Sequence, residues 1–436
     1  MKRYFFLLAV VLFILCSCGK RAEFPFTEAK KTFLYGNFRY FVNDEEKLVC
    51  EDENGEISLL CYDPLCPHAE DSACTAVAGH DTVLCVVEGE NGAPCVYFTS
   101  QRLHFGKEIT FTYEIRRLDT GTGTITVLYG DQSERIGDLY LFGDTVYFRR
   151  QTTETDGAGN IIGYGMNFFR MDPDGSHLRQ ITDYHGTSMT LNSIEEENGK
   201  TVFYWTDYDT ETLYRSDENT LGNPDASEAV LSGASLFGGT VLNGYFYYQQ
   251  KTGTVSAELS VPADPGDRNA KPDGTVTVRE PTALYRYCRI RLETGAEPEI
   301  LFDGMKVSNS AQTFAFIDTD GKNAYCILYA PVYLGTVTAG WAAMTGDTVR
   351  DAVHASQTDY IVSNSGGIIV KIDLTTTKTT EIPTPELDVE NIIGVQRGEL
   401  LVSGNSMNLD EIRESVKDGA LAFPFFVPKT VRIPLP

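Results

Sequence analysis

Cys61, Cys66, His68 and Cys74 fall within one short stretch, CYDPLCPHAEDSAC. Three thiols and an imidazole make a complete tetrahedral donor set for zinc. With four protein ligands no coordination position stays open, so a metal held here is structural rather than catalytic. It would supply the folding energy that a short polar segment cannot draw from a hydrophobic core. Disulfides are the competing chemistry. Cys50 stands near Cys61 across the turn expected at 53–56, and Cys85 and Cys95 flank a second turn. Spacing alone does not choose among the pairings open to the eight cysteines beyond Cys18. His68, which a disulfide has no use for, favours the metal. Either way the stretch stabilises the fold and is not an active site.

No other motif carries comparable chemistry. The chain lacks a G-x-S-x-G elbow, an H-E-x-x-H pair and a P-loop. Gly157-Ala-Gly-Asn-Ile-Ile-Gly163 has one residue too many for a nucleotide loop and lacks the strand and helix around it. Asp172-Pro-Asp-Gly175 and Asp318-Thr-Asp-Gly321 lack the further ligands of a calcium loop and read as hairpin turns. Six histidines form no recognisable triad. No catalytic residue is assigned.

The elements that must position the cysteines come next. The chain opens MKRYFFLLAVVLFILCSCGK, a short positive region followed by an apolar run too short to span a bilayer comfortably. Leu15-Cys16-Ser17-Cys18 resembles the lipobox of bacterial lipoproteins. That resemblance implies a signal peptide over 1–17 and lipidation of Cys18 with acyl chains such as palmitate. The protein would then be anchored at the cell membrane, on the extracytoplasmic side. Several chains on one residue suffice for stable anchoring.

The body carries 61 acidic against 36 basic residues, a net charge of −25. Such a surface repels phosphate backbones, so nucleic acid is excluded as a partner. With 23 Tyr, 24 Phe and 39 Gly, and almost no helical periodicity, the chain reads as all-β. One small helix is expected between Asn408 and Gly419.

A short pattern recurs: an apolar residue, a basic one, any residue, then an acidic or apolar one. It appears at Ile115-Arg-Arg-Leu-Asp119, Phe169-Arg-Met-Asp172, Tyr214-Arg-Ser-Asp217, Cys288-Arg-Ile-Arg-Leu-Glu293, Val370-Lys-Ile-Asp373 and Val431-Arg-Ile-Pro434. Leu60-Cys-Tyr-Asp63 fits the same frame. Upstream of each lies an apolar run such as Val96-Tyr-Phe98 or Tyr245-Phe-Tyr-Tyr248. Spacings of roughly 40 to 80 residues are those of propeller blades with insertions. The fold expected is a β-propeller of seven four-stranded blades over 31–436. Residues 168–182, a strand, a DxDG-type turn and an outer strand, resemble a blade of the TolB-like β-propeller superfamily. Residues 18–30 are read as the anchored N-terminus and a closing strand. Its segment Glu23-Phe-Pro-Phe-Thr-Glu28 would complete the last blade, which ends in Lys429–Pro436.

In this frame Cys61 ends the third strand of the first blade. The cysteine cluster then lies opposite the face bearing the insertions 151–166, 249–282, 331–366 and 405–427. These insertions hold Tyr164, Tyr333 and Trp341, aromatics suited to stacking on a ligand, with Phe423, Phe425 and Phe426 in the last. The expected function is binding or scaffolding of a protein, peptide or glycan. The alternative is a glycan- or peptide-cleaving hydrolase on the same scaffold.

Overall fold

The computed structural model describes residues 24–68, 74, 76–79, 81–89, 91–105, 109–131, 134–158, 160–182, 189–233, 236–262, 270–293, 295–307, 316–317, 321–338, 352–355, 358–384, 387–406 and 427–436. The signal peptide, Cys18, Trp341, the helix expected at 408–419 and Phe423, Phe425 and Phe426 lie outside them.

The described chain is almost entirely antiparallel β-structure, arranged as seven successive sheets. The first is Thr32–Tyr35, Phe38–Val42, Leu48–Glu51 and Ile57–Leu59, and the second Leu84–Glu88, Pro94–Phe105, Ile109–Asp119 and Thr124–Asp131. The third runs Ile136–Gly143, Thr145–Thr155, Ile161–Met171 and Arg179–Gln180. The fourth spans 189–232, the fifth 236–307 and the sixth 316–383; the seventh has three strands, Leu387–Gln396, Glu399–Ser406 and Val427–Pro434. This succession of meanders is the topology of a seven-bladed β-propeller. The chain divides into two compact units, one containing sheets one to three and the other sheets five to seven.

The second strand of each sheet shows why the sequence folds this way. In Val96-Tyr97-Phe98 every side chain is buried. Val96 and Phe98 join a cluster with Tyr40, Leu48 and Leu84, whereas Tyr97 joins Cys85, Leu139 and Phe148 on the other face. Alternate side chains thus feed two cores, and a strand buried on both faces reads as a continuous apolar run. The second unit repeats the device. Tyr325 and Ile327 pack with Leu400 and Val402, while Ala324 and Cys326 pack with Tyr247 and Tyr287. Each fully buried large side chain contributes about 1.5–3 kcal/mol of transfer free energy.

Two expectations are corrected. The N-terminal strand Phe24–Glu28 pairs with Ile136–Gly143 of the third sheet, with Thr27 opposite Leu141 and Glu28 opposite Tyr140. It does not complete the last blade; among the described residues Val427–Pro434 pairs only with Glu399–Ser406. The segment is drawn to the open edge of the third sheet. There Phe26 stacks on Tyr140 with ring centroids 5.9 Å apart, and the Ala29 N–H donates to Leu139 O at 2.9 Å. Second, the third strand of the first sheet is Leu48–Glu51, so Cys61 lies beyond the fourth strand, in the connection to the second sheet.

Candidate metal centre and the long hairpins

The connection after Leu60 turns tightly. The Leu65 N–H donates to Asp63 Oδ1 at 2.9 Å and the Cys66 N–H to Asp63 O at 3.1 Å. This Asx turn between two restricting prolines swings Cys66 back beside Cys61. His68 takes a left-handed conformation, φ 55°, which turns its ring toward Cys74. The ligand atoms of Cys61, Cys66, His68 and Cys74 all lie within 4.8 Å of one another, and His68 Nδ1 is 3.3 Å from Cys74 Sγ. Around zinc, bond lengths of about 2.0–2.3 Å place tetrahedral ligand atoms about 3.3–3.8 Å apart. The structure therefore gathers the four sequence-predicted residues into a set that needs only slight contraction to hold a zinc ion.

Cys74 is the anchor of the set. It is buried, packed with Ala76 and Val77, and Leu59, Cys61 and Cys66 close over it. Burial pushes its thiol up to about 11; the neighbouring Cys66 and Cys61 thiols raise it further, and the Ala76 N–H pulls it back. A metal ion supplies the positive charge that lets such a thiol ionise.

Backbone hydrogen bonds tie the strip after Cys74 to both neighbouring sheets. The Leu48 N–H donates to Ala76 O at 2.7 Å, the Ala78 N–H to Glu46 O at 3.0 Å, and the Gln101 N–H to Ala78 O at 2.8 Å. A Cβ on Gly79 would meet Gln101 O at 2.7 Å, so this approach requires glycine. The contact with Gln101 also overturns the expected placement. Arg102, on the hairpin joining the second and third strands of the second sheet, donates from Nη2 to Cys74 O at 3.1 Å. The cluster sits at the hairpin-bearing end of these sheets, because a fourth-to-first connection leaves from the same end as a second-to-third hairpin.

No disulfide joins any of the eight described cysteines. Cys50 lies opposite Tyr40 and Ser58 rather than against Cys61. Cys85 faces Tyr97 and Cys95 faces Val87, an offset of two residues. Diagonal neighbours of that kind are about 7–8 Å apart, too far for a disulfide.

The segments expected as loops are mostly paired strands. Residues 151–166 continue a ladder to Thr155 opposite Ile161, closed by a turn in which Asp156 Oδ1 accepts from the Ala158 and Asn160 N–H groups. In the segment 249–282, residues 249–262 and 275–282 belong to a ladder from Tyr245 opposite Arg291 to Pro262 opposite Thr275. In the segment 331–366 the described strands form a ladder reaching Thr338 opposite Thr358, with Ala352–Ala355 added at its edge. In the fourth segment the last described pair is Ser406 and Val427. Tyr164 pairs with Thr153 in the first compact unit and Tyr333 with Val362 in the second, on separate hairpins. Sequence reasoning missed a further long hairpin, Pro94–Phe105 with Ile109–Asp119, although its alternation of polar and apolar residues was a usable signal.

Among the described residues no helix is long and apolar enough to cross a membrane. No family model matches the chain, and no curated protein matches it. Among solved structures it is similar to an oligogalacturonate lyase from Vibrio parahaemolyticus, at 11% identity and a TM-score of 0.37, covering 67% of this chain and 71% of that one. It is also similar to a puromycin hydrolase at 11% identity and a TM-score of 0.44, covering 89% of this chain and 51% of the other. A structure of prolyl endopeptidases matches at 9% identity and a TM-score of 0.44, covering 92% of this chain and 49% of that one. The chain spans about half the length of the latter two proteins.

Proposed function

We propose that the protein is a lipoprotein anchored through Cys18 to the extracytoplasmic side of the cell membrane. Its TolB-like propeller binds a protein, peptide or glycan through its long hairpins, and a structural zinc at Cys61, Cys66, His68 and Cys74 braces the first blades. One observation supports the binding role above others, the ribbon of the fifth sheet. Beyond Gln250 on one side and Val307 on the other, Val255–Pro262 and Thr275–Thr282 pair only with each other among the described residues. Along this stretch neither outer edge is paired with a neighbouring strand of the sheet among the described residues. Such an edge is suited to strand addition by an extended peptide. An isolated two-stranded ribbon is marginal in water and gains stability from a partner.

The test replaces residues 254–282 by a two-residue turn in the whole chain. Binding to isolated cell-envelope material should be lost while the thermal transition stays in place. Retained binding refutes the role of the ribbon. For the anchor, Cys18→Ser should move the protein from the membrane fraction to the soluble one, and an unchanged distribution refutes it.

A further inference from the structure

The register of the N-terminal strand decides which end of the third sheet lies near an anchor on Cys18. Phe24 stands opposite Gly143, the last residue of Ile136–Gly143. From Gly143 the chain turns straight into Thr145–Thr155, with Phe142 opposite Thr145. Phe24 therefore lies at the tight-turn end of the sheet. The turn Asp172–Ser176 lies at that end too, because Met171 just ahead of it pairs with Val146. At the other end is the hairpin tip, where Thr155 pairs with Ile161. The strand is held in this register along its length. Phe26 stacks on Tyr140, the Ala29 N–H donates to Leu139 O, and Lys30 exchanges hydrogen bonds with Leu84 of the second sheet.

Two lengths then settle the matter. Ten residue steps along Thr145–Thr155, at about 3.3 Å each, put the tip about 33 Å from the turn end. Six steps separate Cys18 from Phe24, and a fully extended chain covers them in about 20–22 Å. An anchor on Cys18 falls short of the tip.

The tip itself invites the opposite orientation. Ile161 and Ile162 are 56% and 67% exposed, and exposed apolar residues mark membrane contacts as well as protein contacts. Standing the sheet on its tip, with Cys18 at the lipid surface, needs the linker stretched back along the sheet. It still drives the tip about 11 Å into hydrocarbon. Asp156, which shapes the tip through the Ala158 and Asn160 N–H groups, would go with it, and a carboxylate at that depth is expensive.

We infer that the lipid surface faces the tight-turn end of the third sheet, and that the hairpin Thr145–Thr155 with Ile161–Met171 projects away from the bilayer. The inference rests on lipidation of Cys18. It narrows what this hairpin can meet: its partner arrives from the aqueous side, and Ile161 and Ile162 do not dip into the anchoring membrane.

The experiment places the full lipidated chain on phosphatidylcholine vesicles that carry an energy-acceptor lipid. A donor dye is attached by replacing either Ala158, at the tip, or His177, beside the Asp172–Ser176 turn, with azidophenylalanine, which leaves the native cysteines unlabelled. Both positions are exposed. Transfer from the label at 177 should exceed transfer from the label at 158 several-fold, and Cys18→Ser should abolish vesicle binding. If the lipidated chain does not bind vesicles, or Cys18→Ser binds them equally well, the anchor reading falls and the orientation with it. If the chain binds through Cys18 but transfers as strongly from 158 as from 177, the orientation is refuted while the anchor stands.

Discussion

Gly175, in the turn Asp172-Pro-Asp-Gly175, offers a sharp test of how the second and third sheets are joined. Its φ is +86°, and a Cβ built there would sit 2.5 Å from Leu128 O and 3.1 Å from Leu128 C. Leu128 is in the outer strand of the second sheet, so the obstacle is backbone that cannot rotate away. Two costs combine in Gly175→Ala. The left-handed conformation costs a non-glycine residue about 1–2 kcal/mol, and forcing apart a packed contact costs about 1–3 kcal/mol more. The sum is about 2–5 kcal/mol. Gly36 is the control: its φ is +58° and its Cβ would meet nothing within 4 Å, so Gly36→Ala should cost only about 1–2 kcal/mol. Urea unfolding of the two variants, followed by intrinsic fluorescence and by hydrogen exchange in the third sheet, measures the difference. If Gly175→Ala is no more destabilising than Gly36→Ala, the close approach of that turn to the second sheet is wrong.

Other expectations follow from the same geometry. Asp174 accepts hydrogen bonds from the Ser176 hydroxyl and N–H, which hold its carboxyl below the usual aspartate range. Its contribution to stability is complete above about pH 4, the unfolded value, and is lost as pH falls through the depressed folded value; carboxyl NMR giving an ordinary midpoint would contradict this. Burial, with Cys95 alongside, pushes the Cys85 thiol far up, and burial does the same to Cys326. Both should resist alkylation in the native protein and react at once in denaturant; native labelling would place them wrongly. Thr27 faces Leu141 across the first ladder of the third sheet, so the double variant Thr27→Cys, Leu141→Cys should cross-link on mild oxidation. Failure to do so, with cross-linking of Thr27→Cys to a cysteine placed in 427–434 instead, would restore closure through the last blade.

The blades were legible because a strand buried on both faces leaves a mark that chain divergence does not erase. Val96-Tyr-Phe98, Tyr245-Phe-Tyr-Tyr248 and Leu400-Leu-Val402 each fall on the second strand of a sheet, and Ile115, Phe169, Tyr214, Cys288, Val370 and Val431 on the third. The first blade misled. Leu60-Cys-Tyr-Asp63 matches the pattern by chance, whereas the true third strand, Leu48-Val-Cys-Glu51, has no basic residue after its first apolar one. The partner of Phe24–Glu28 was not legible at all, since an edge strand pairs with whichever edge the folded sheets leave open, and nothing local records that choice. The long insertions were read as loops because their polar, small residues lack a core-facing stripe. The cysteine set was readable from ligand type and spacing. The meeting of Arg102, Glu114 and Arg116 was not, because they come together only once the hairpin register puts them on one face.

The central claim is that Cys61, Cys66, His68 and Cys74 hold a structural metal, and metal content with a thiol count tests it directly. The whole chain, purified without reductant, should carry about one zinc. The thiols of Cys61, Cys66 and Cys74 should stay closed to alkylation until a chelator is added, and removing the metal should lower the thermal transition. A chain free of metal, with these cysteines oxidised to disulfides or alkylated at once without chelator, would contradict it.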